Sequence, residues 1–267
     1  MDALLSAGGL SPGTILALAA AALVAGFIDA IAGGGGLITV PVLALAGLDP
    51  VTVLSTNKLQ GTFGSGSATL AFARAGHLTW RGAWPVAVGA AVGSVVGARL
   101  LAHMPLGLAQ VLLPVMLVAV GVYFAVSPTM GDADAHARLS RPVFLATAIP
   151  AVGLYDGVFG PGAGSLYTLA FVSLLGFGLV KATAHTKAAN FASNVASLAT
   201  LALGGHILWP VGLAMGAAQF VGARLGAHAT LRRGARLVRP LVVCVCLALA
   251  LRIGWDNREL LFSALGR

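Results

Sequence analysis

The sequence predicts an all-α polytopic membrane protein: about ten transmembrane segments in two inverted five-helix repeats, each interrupted by glycine-broken half-helices. Three observations lead there. Apolar residues make up 58% of the 267 residues and charged ones 9%, with a mean hydropathy of +0.94, a balance that belongs to the bilayer rather than to a soluble core. The apolar stretches fall into ten runs. A glycine-rich interruption flanked by the same ionisable residues occurs twice.

The runs lie at 14–32, 36–47, 52–73, 82–101, 107–127, 142–159, 164–177, 182–203, 209–229 and 238–255. Most approach the ~20 residues a helix needs to span the hydrocarbon. Those at 36–47 and 164–177 are short, and each is expected to be a half-helix or part of a broken span. Leu37–Pro41 is rich in β-branched residues as well. The polar stretch 128–141 separates the halves, giving a first repeat over 1–127, a connector, a second repeat over 142–255 and a tail over 256–267.

Charge decides how to count the broken runs. If each break is a kink within one span, the arginines split between the two faces. If the chain turns back at each break, Arg74, Arg81, Arg138, Arg141, Arg232, Arg233, Arg236 and Arg239 gather with Lys181 on one face. The second count obeys the positive-inside rule, and an odd number of segments per half inverts the second copy. Both termini are then expected on the outer face, with the first run acting as an uncleaved anchor. Short-range echoes strengthen the repeat: Gly76-His77 with Gly205-His206, and Gly97-Ala98-Arg99-Leu100 with Gly222-Ala223-Arg224-Leu225.

Composition excludes several classes. The net charge of +8 comes from residues scattered in short loops, so no nucleic-acid partner is expected. Cys244 and Cys246 match no metal spacing, no acidic or histidine cluster does either, and no serine sits in a nucleophile elbow. Neither enzyme activity, metal nor cofactor is expected. The 36 glycines point to close helix packing, with Gly89-Gly93-Gly97 and Gly212-Gly216 at the required spacing.

The residues that stand out chemically flank the glycine breaks. Lys58 and Lys187 lie near the starts of apolar helices, where a buried charge costs ~2.5–3.5 kcal/mol on insertion scales. They either offset that cost with an anion or snorkel to the headgroups. Breaks at Gly33–Gly36 and Gly160–Gly164 point a helix N-terminus inward and let backbone approach a ligand. Candidate substrate-binding residues are Lys58, Lys187, Asn57, Thr56, Gln60, Thr186, Asn190, Asn194, Gly34, Gly35, Gly162 and Gly164. Asp29 and Asp156 each precede a break by four residues. They could accept a proton and couple it to anion movement, or neutralise the lysines as structural ion pairs.

The motifs GFIDAIAGGGGLITVP with STNKLQGTFGS, and GLYDGVFGPGAGSLYTL with HTKAANFASNVAS, resemble the two halves of the TSUP (sulfite exporter TauE/SafE) family over residues 10–255. That resemblance implies a secondary transporter of small sulfur-containing anions, such as sulfite or organosulfonates, in the bacterial inner membrane, acting as an exporter; protons as the coupling ion rest on Asp29 and Asp156. His185 departs from the small or hydroxyl residue expected before the Thr-Lys pair. Two alternatives stay open from the residues: a passive anion channel, and a cation or metal carrier using Asp29 and Asp156. The sequence leaves the oligomeric state open.

Overall fold

The structure, a computed structural model, describes residues 10–112, 115–116 and 134–233. No strand occurs among them. The helices include α1 (Pro12–Ala32), α2 (Gly36–Leu45), α3 (Pro50–Arg74), α4 (Trp80–Ala102), α5 (Arg141–Ala146), α6 (Ala148–Val158), α7 (Ala163–Leu175), α8 (Leu179–Leu201) and α9 (Trp209–Arg233), and residues 106–112 and 115–116 are helical as well. The expected runs at 107–127 and 238–255, and much of the connector, lie wholly or largely outside the described residues.

Local chemistry sets the helix boundaries. Ser11 and Asp49 cap α1 and α3 by accepting the N–H groups of Thr14 and of Val51 and Thr52, and in each case proline follows at the first helical position, where its missing N–H costs nothing. Helix α1 ends at Gly33, whose φ of +80° suits a residue without a Cβ and whose N–H returns to the carbonyl of Asp29. The β-branched stretch 37–41 is nonetheless helical, with Pro41 inside α2. Burial of Leu37, Thr39, Val40 and Leu43 overrides a weak local preference. The run at 142–159 is broken at Thr147 (φ −120°, ψ −68°) into α5 and α6. Pro150 is the cause, since it cannot donate to the carbonyl of Ala146 and its ring crowds that carbonyl.

At each glycine break the chain turns back instead of continuing. Helix α2 lies against α3, with Thr39 Oγ1 donating to Asn57 Oδ1 at 2.7 Å. Helix α7 lies against α8 with Thr168 Oγ1 donating to Thr186 Oγ1 at 3.1 Å. Helix α2 thus returns toward the end at which α1 begins, and α7 toward the opposite end, at which α5 begins. Phe72, Leu78, Val180 and Leu231 share one cluster, which puts the C-terminal ends of α3 and α9 beside the start of α8. Arg74, Arg232, Arg233 and Lys181 consequently gather at one end of the molecule.

The two halves of the chain are interleaved. Helix α4, from the first half, packs along α6 and α8; helix α9, from the second half, packs along α1 and α3. Glycines make both contacts possible. A Cβ on Gly89 would sit 3.0 Å from Ile149 Cγ2, one on Gly153 3.1 Å from the Cα of Ala90, and one on Gly226 3.0 Å from Ala30 Cβ. Gly212 and Gly216 likewise accommodate Leu59 and Phe63 of α3. The predicted small-residue contacts are therefore present, and they join one half to the other.

Two of the described helices, α1 and α4, have the length and composition to cross a bilayer. Helices α3, α8 and α9 are equally long, but their buried polar residues lower their mean hydropathy. Those residues build the site.

Candidate functional site

Asp29 stands near the C-terminal end of α1 and Asp156 near that of α6. Lys58 and Lys187 stand about two turns into α3 and α8. The charged groups pair across the halves. Lys58 Nζ is 2.6 Å from Asp156 Oδ1, and Lys187 Nζ is 3.0 Å from Asp29 Oδ2. Both lysines are fully buried, and the aspartates nearly so. Each ammonium also donates to the backbone carbonyl of its partner aspartate. Those carbonyls belong to the last turns of α1 and α6, where the helix dipole favours a cation. Carboxylate, carbonyl and dipole together offset the cost of burying each lysine.

The aspartates have different second partners. Asp29 Oδ1 accepts the N–H of Gly35 at 3.1 Å, so its carboxylate covers the N-terminus of α2. Asp156 Oδ2 accepts from the Ser193 hydroxyl. Ser193 in turn adjoins Ser94 of α4, whose hydroxyl contacts the Ser193 carbonyl and the Ser197 hydroxyl.

The two glycine breaks cross back to back. A Cβ on Gly164 would come within 2.8 Å of the Cα of Gly33, and one on Gly33 would collide with the backbone of Gly164. Ser165 pins the crossing by donating to the carbonyl of Ala32. Gly160, at φ +88°, leaves room for the lysine, since a Cβ there would lie 3.0 Å from Lys58 Nζ.

Between the breaks lies a cavity of about 20 Å³, room for roughly one water. Asp29, Asp156, Asn57, Gln60, Asn190 and Asn194 line it, with backbone of Gly33, Gly36, Gly61, Gly160 and Gly164, and with Gln219 of α9. The lysines stand behind the carboxylates and do not line it. Asn57 Oδ1 accepts from both Thr39 and Gln60 Nε2, the latter at 2.6 Å; Asn194 Nδ2 donates to Asn190 Oδ1 at 3.0 Å.

The sequence-expected candidates therefore divide. Asn57, Gln60, Asn190, Asn194, Gly164, Asp29 and Asp156 meet at the cavity, and Lys58 and Lys187 reach it through their partners. Gly35 contributes its N–H to Asp29, while Gly34 and Gly162 lie off the lining. Thr186 bonds Thr168, and Thr56 Oγ1 accepts the N–H of Leu208 at 3.2 Å, away from the cavity. Gln219 did not stand out in the sequence. Its signal is a lone amide amid the apolar and small residues of α9.

A second cavity, of about 750 Å³, lies at the arginine-rich end among His77, Thr79, Arg141, Phe177, Lys181 and His185. His185 fits there by packing its ring against Phe177 (centroids 5.2 Å) and Phe171 (5.6 Å). Its Nδ1 lies 2.9 Å from the carbonyl of Lys181. Nearby, the connector is tied down by Asp134, which accepts from Lys181 Nζ at 2.7 Å and from the N–H of Gly178 at 2.6 Å. The Lys181 hydrogen bond, then that of Gly178, holds this carboxyl below its ordinary pKa.

Long apolar helices, broken helices meeting at depth and buried charges around a polar cavity define a membrane transporter. The sequence profile of the family described as Sulfite exporter TauE/SafE matches residues 18–253, and the chain belongs to that family. It is 50% identical over 233 residues to the probable membrane transporter protein ORF9 of a Sinorhizobium species, covering 87% of this chain and 89% of that one. It is 44% identical to a probable membrane transporter protein of Haemophilus influenzae, covering 88% and 92%. Identity is 42% to the probable membrane transporter protein YfcA of Escherichia coli K12, covering 88% of both chains. No solved structure matches the chain significantly.

Proposed function

We propose that this membrane transporter is a secondary carrier of small anions, sulfur oxyanions such as sulfite and organosulfonates foremost, exporting them across the bacterial inner membrane with proton coupling. The observation that carries this reading is the pair of crossed salt bridges, Lys58 with Asp156 and Lys187 with Asp29. Two buried cations and two buried carboxylates sum to zero, so the site as it stands has no net attraction for an anion. Protonation of one aspartate leaves its lysine uncompensated, and an anion entering the cavity restores neutrality. Anion and proton would then travel together because either alone leaves a buried charge unpaired. The helix N-termini at the breaks add to the attraction.

The chain is read as ten segments in two inverted halves, both termini periplasmic and the arginine-rich end cytoplasmic. Alternating access would not be one half rocking against the other, since α4 and α9 are exchanged. The bodies that could move are α1, α2, α3 and α9 against α4 to α8, with the glycine crossing between them. In this reading the 20 Å³ cavity is the substrate site in a contracted form.

A second reading, a cation carrier, draws on the fact that carboxylates rather than ammonium groups face the cavity. Flux into proteoliposomes separates the readings. Saturable sulfite flux driven by a pH gradient, with Asp29→Asn and Asp156→Asn losing that dependence but retaining anion exchange, is the expected result. Non-saturating flux indicates a channel, and gradient-driven cation flux without anion indicates the cation carrier.

A further inference from the structure

Gln219 projects from α9 into the gap between α1 and α3 and is 3% exposed. Glycines clear its path on both sides. A Cβ on Gly26 would lie 2.8 Å from Gln219 Cγ, and one on Gly64 would lie 2.6 Å from Gln219 Nε2. The side chain so accommodated reaches the central cavity, yet its Oε1 is buried without a hydrogen-bond partner. Gln60 Oε1, on the same lining, is also buried and unpartnered, because Gln60 Nε2 is committed to Asn57. A buried amide oxygen left unpaired has given up its hydrogen bonds to water without replacement, and two of them at one cavity call for a donor.

The site beside α8 shows what closure looks like. Gln219 stands three residues before Gly222-Ala223-Arg224, and Ser94 three before Gly97-Ala98-Arg99. Gly64 follows Lys58 by six residues, as Ser193 follows Lys187. Where the site beside α8 has Ser193 and Ser94 bonded to Asp156, to Ser197 and to backbone, the site beside α3 has a cleared position and an unpaired amide. The repeat is asymmetric at the site, and its open corner belongs to Gln219.

We infer that Gln219, with Gln60, is a substrate-binding residue, and that its ligand carries a hydrogen-bond donor: a protonated oxyanion, one O–H beside its negatively charged oxygens. The O–H donates to the amide oxygens while the charged oxygens face the lysine released by a protonated aspartate. This rests on the carrier reading above. The specificity it supplies comes from cost to the wrong ligand, because an anion with a methyl group in place of the hydroxyl leaves the amides unpaired.

The test compares hydrogen sulfite with methanesulfinate, monoanions differing in hydroxyl against methyl, as transported substrates in proteoliposomes in mildly acidic buffer. Wild type should favour hydrogen sulfite. Gln219→Met should lower that preference about tenfold or more, through KM for hydrogen sulfite, and leave methanesulfinate nearly unchanged. The double variant Gly64→Ser with Gln219→Ser copies the closed corner beside α8, so it should fold and show the same loss. An unchanged preference in both variants overturns the inference, assigning the amides to a bound water, while wild-type flux of sulfite still upholds the carrier. Wild type moving neither anion overturns the carrier reading itself.

Discussion

Lys58 and Asp156 are separated by 98 positions in the sequence and by 2.6 Å in space, and each comes from a different half of the chain. An equally plausible partner for Lys58 in sequence terms is Asp29, within its own half. The crossing arises where the two glycine breaks touch: the C-terminal ends of α1 and α6 meet there, so each aspartate faces the lysine of the other half.

The crossing dictates which double substitutions are compatible. Lys58→Met or Asp156→Asn alone strands a buried charge or dipole and should cost about 3–5 kcal/mol of stability. Lys58→Met combined with Asp156→Asn should recover most of it, whereas Lys58→Met combined with Asp29→Asn should be worse than either alone. Thermal unfolding of the purified variants in detergent reads this directly, and rescue by the Asp29 combination instead would disprove the crossed pairing.

The glycine crossing should be the least substitutable part of the backbone. Gly33→Ala needs a non-glycine residue at φ +80° and drives its methyl into Gly164, so little folded protein is expected. Gly164→Ala meets the Cα of Gly33 at 2.8 Å and should behave alike. Gly34→Ala, with Leu37 Cδ1 at 3.5 Å and no positive φ, should change stability by under about 1 kcal/mol. Yields of monodisperse protein would settle the contrast.

Solvent access should differ sharply between the two cavities. Cysteine placed at Thr79 or Arg141, on the large cavity at the arginine-rich end, should react quickly with a water-soluble maleimide. Cysteine at Asn190, 8% exposed, should react slowly unless substrate and protons are supplied. Equal rates at all three would show that the contracted form is not the resting one.

The Asp134 tie should depend on pH in one direction. The Lys181 ammonium and the Gly178 N–H hold its folded-state pKa below the ordinary carboxylate value of 3.8, so its contribution is complete above the unfolded pKa and is lost as pH falls through the lower folded value. The stability difference between wild type and Asp134→Asn should therefore be constant above about pH 4 and vanish only in stronger acid. Being exposed, the pair should contribute little, so the difference is best read from protease sensitivity of the connector.

Much of the site was legible in the sequence because few physical reasons put Lys58, Asp29 or four glycines inside an apolar run. Asn190, Ser193, Asn194 and Ser197 recur at three- and four-residue steps in the sequence, which puts them on one helix face, and all four are buried. Thr56 shows the limit of reading by proximity: two positions from Lys58 on a helix, it faces another way and meets Leu208. Pairing partners were not legible, since complementary charges match equally well within a half as between halves. Gln219 was silent for a related reason. Its meaning depends on which helices flank α9, and that is decided by Gly26, Gly64, Gly222 and Gly226, whose sequence signature announces close packing without naming the neighbour.

The exchange of α4 and α9 has a consequence for how the protein is made. When the first half has left the ribosome, α1 and α3 lack α9, Lys58 has no counter-ion, and α4 has neither of its neighbours. Maturation therefore waits for the second half, and each half alone should be a substrate for membrane quality control. A gene cut within 128–141 should yield two unstable fragments that protect one another when co-expressed, as the subunits of an obligate heterodimer do.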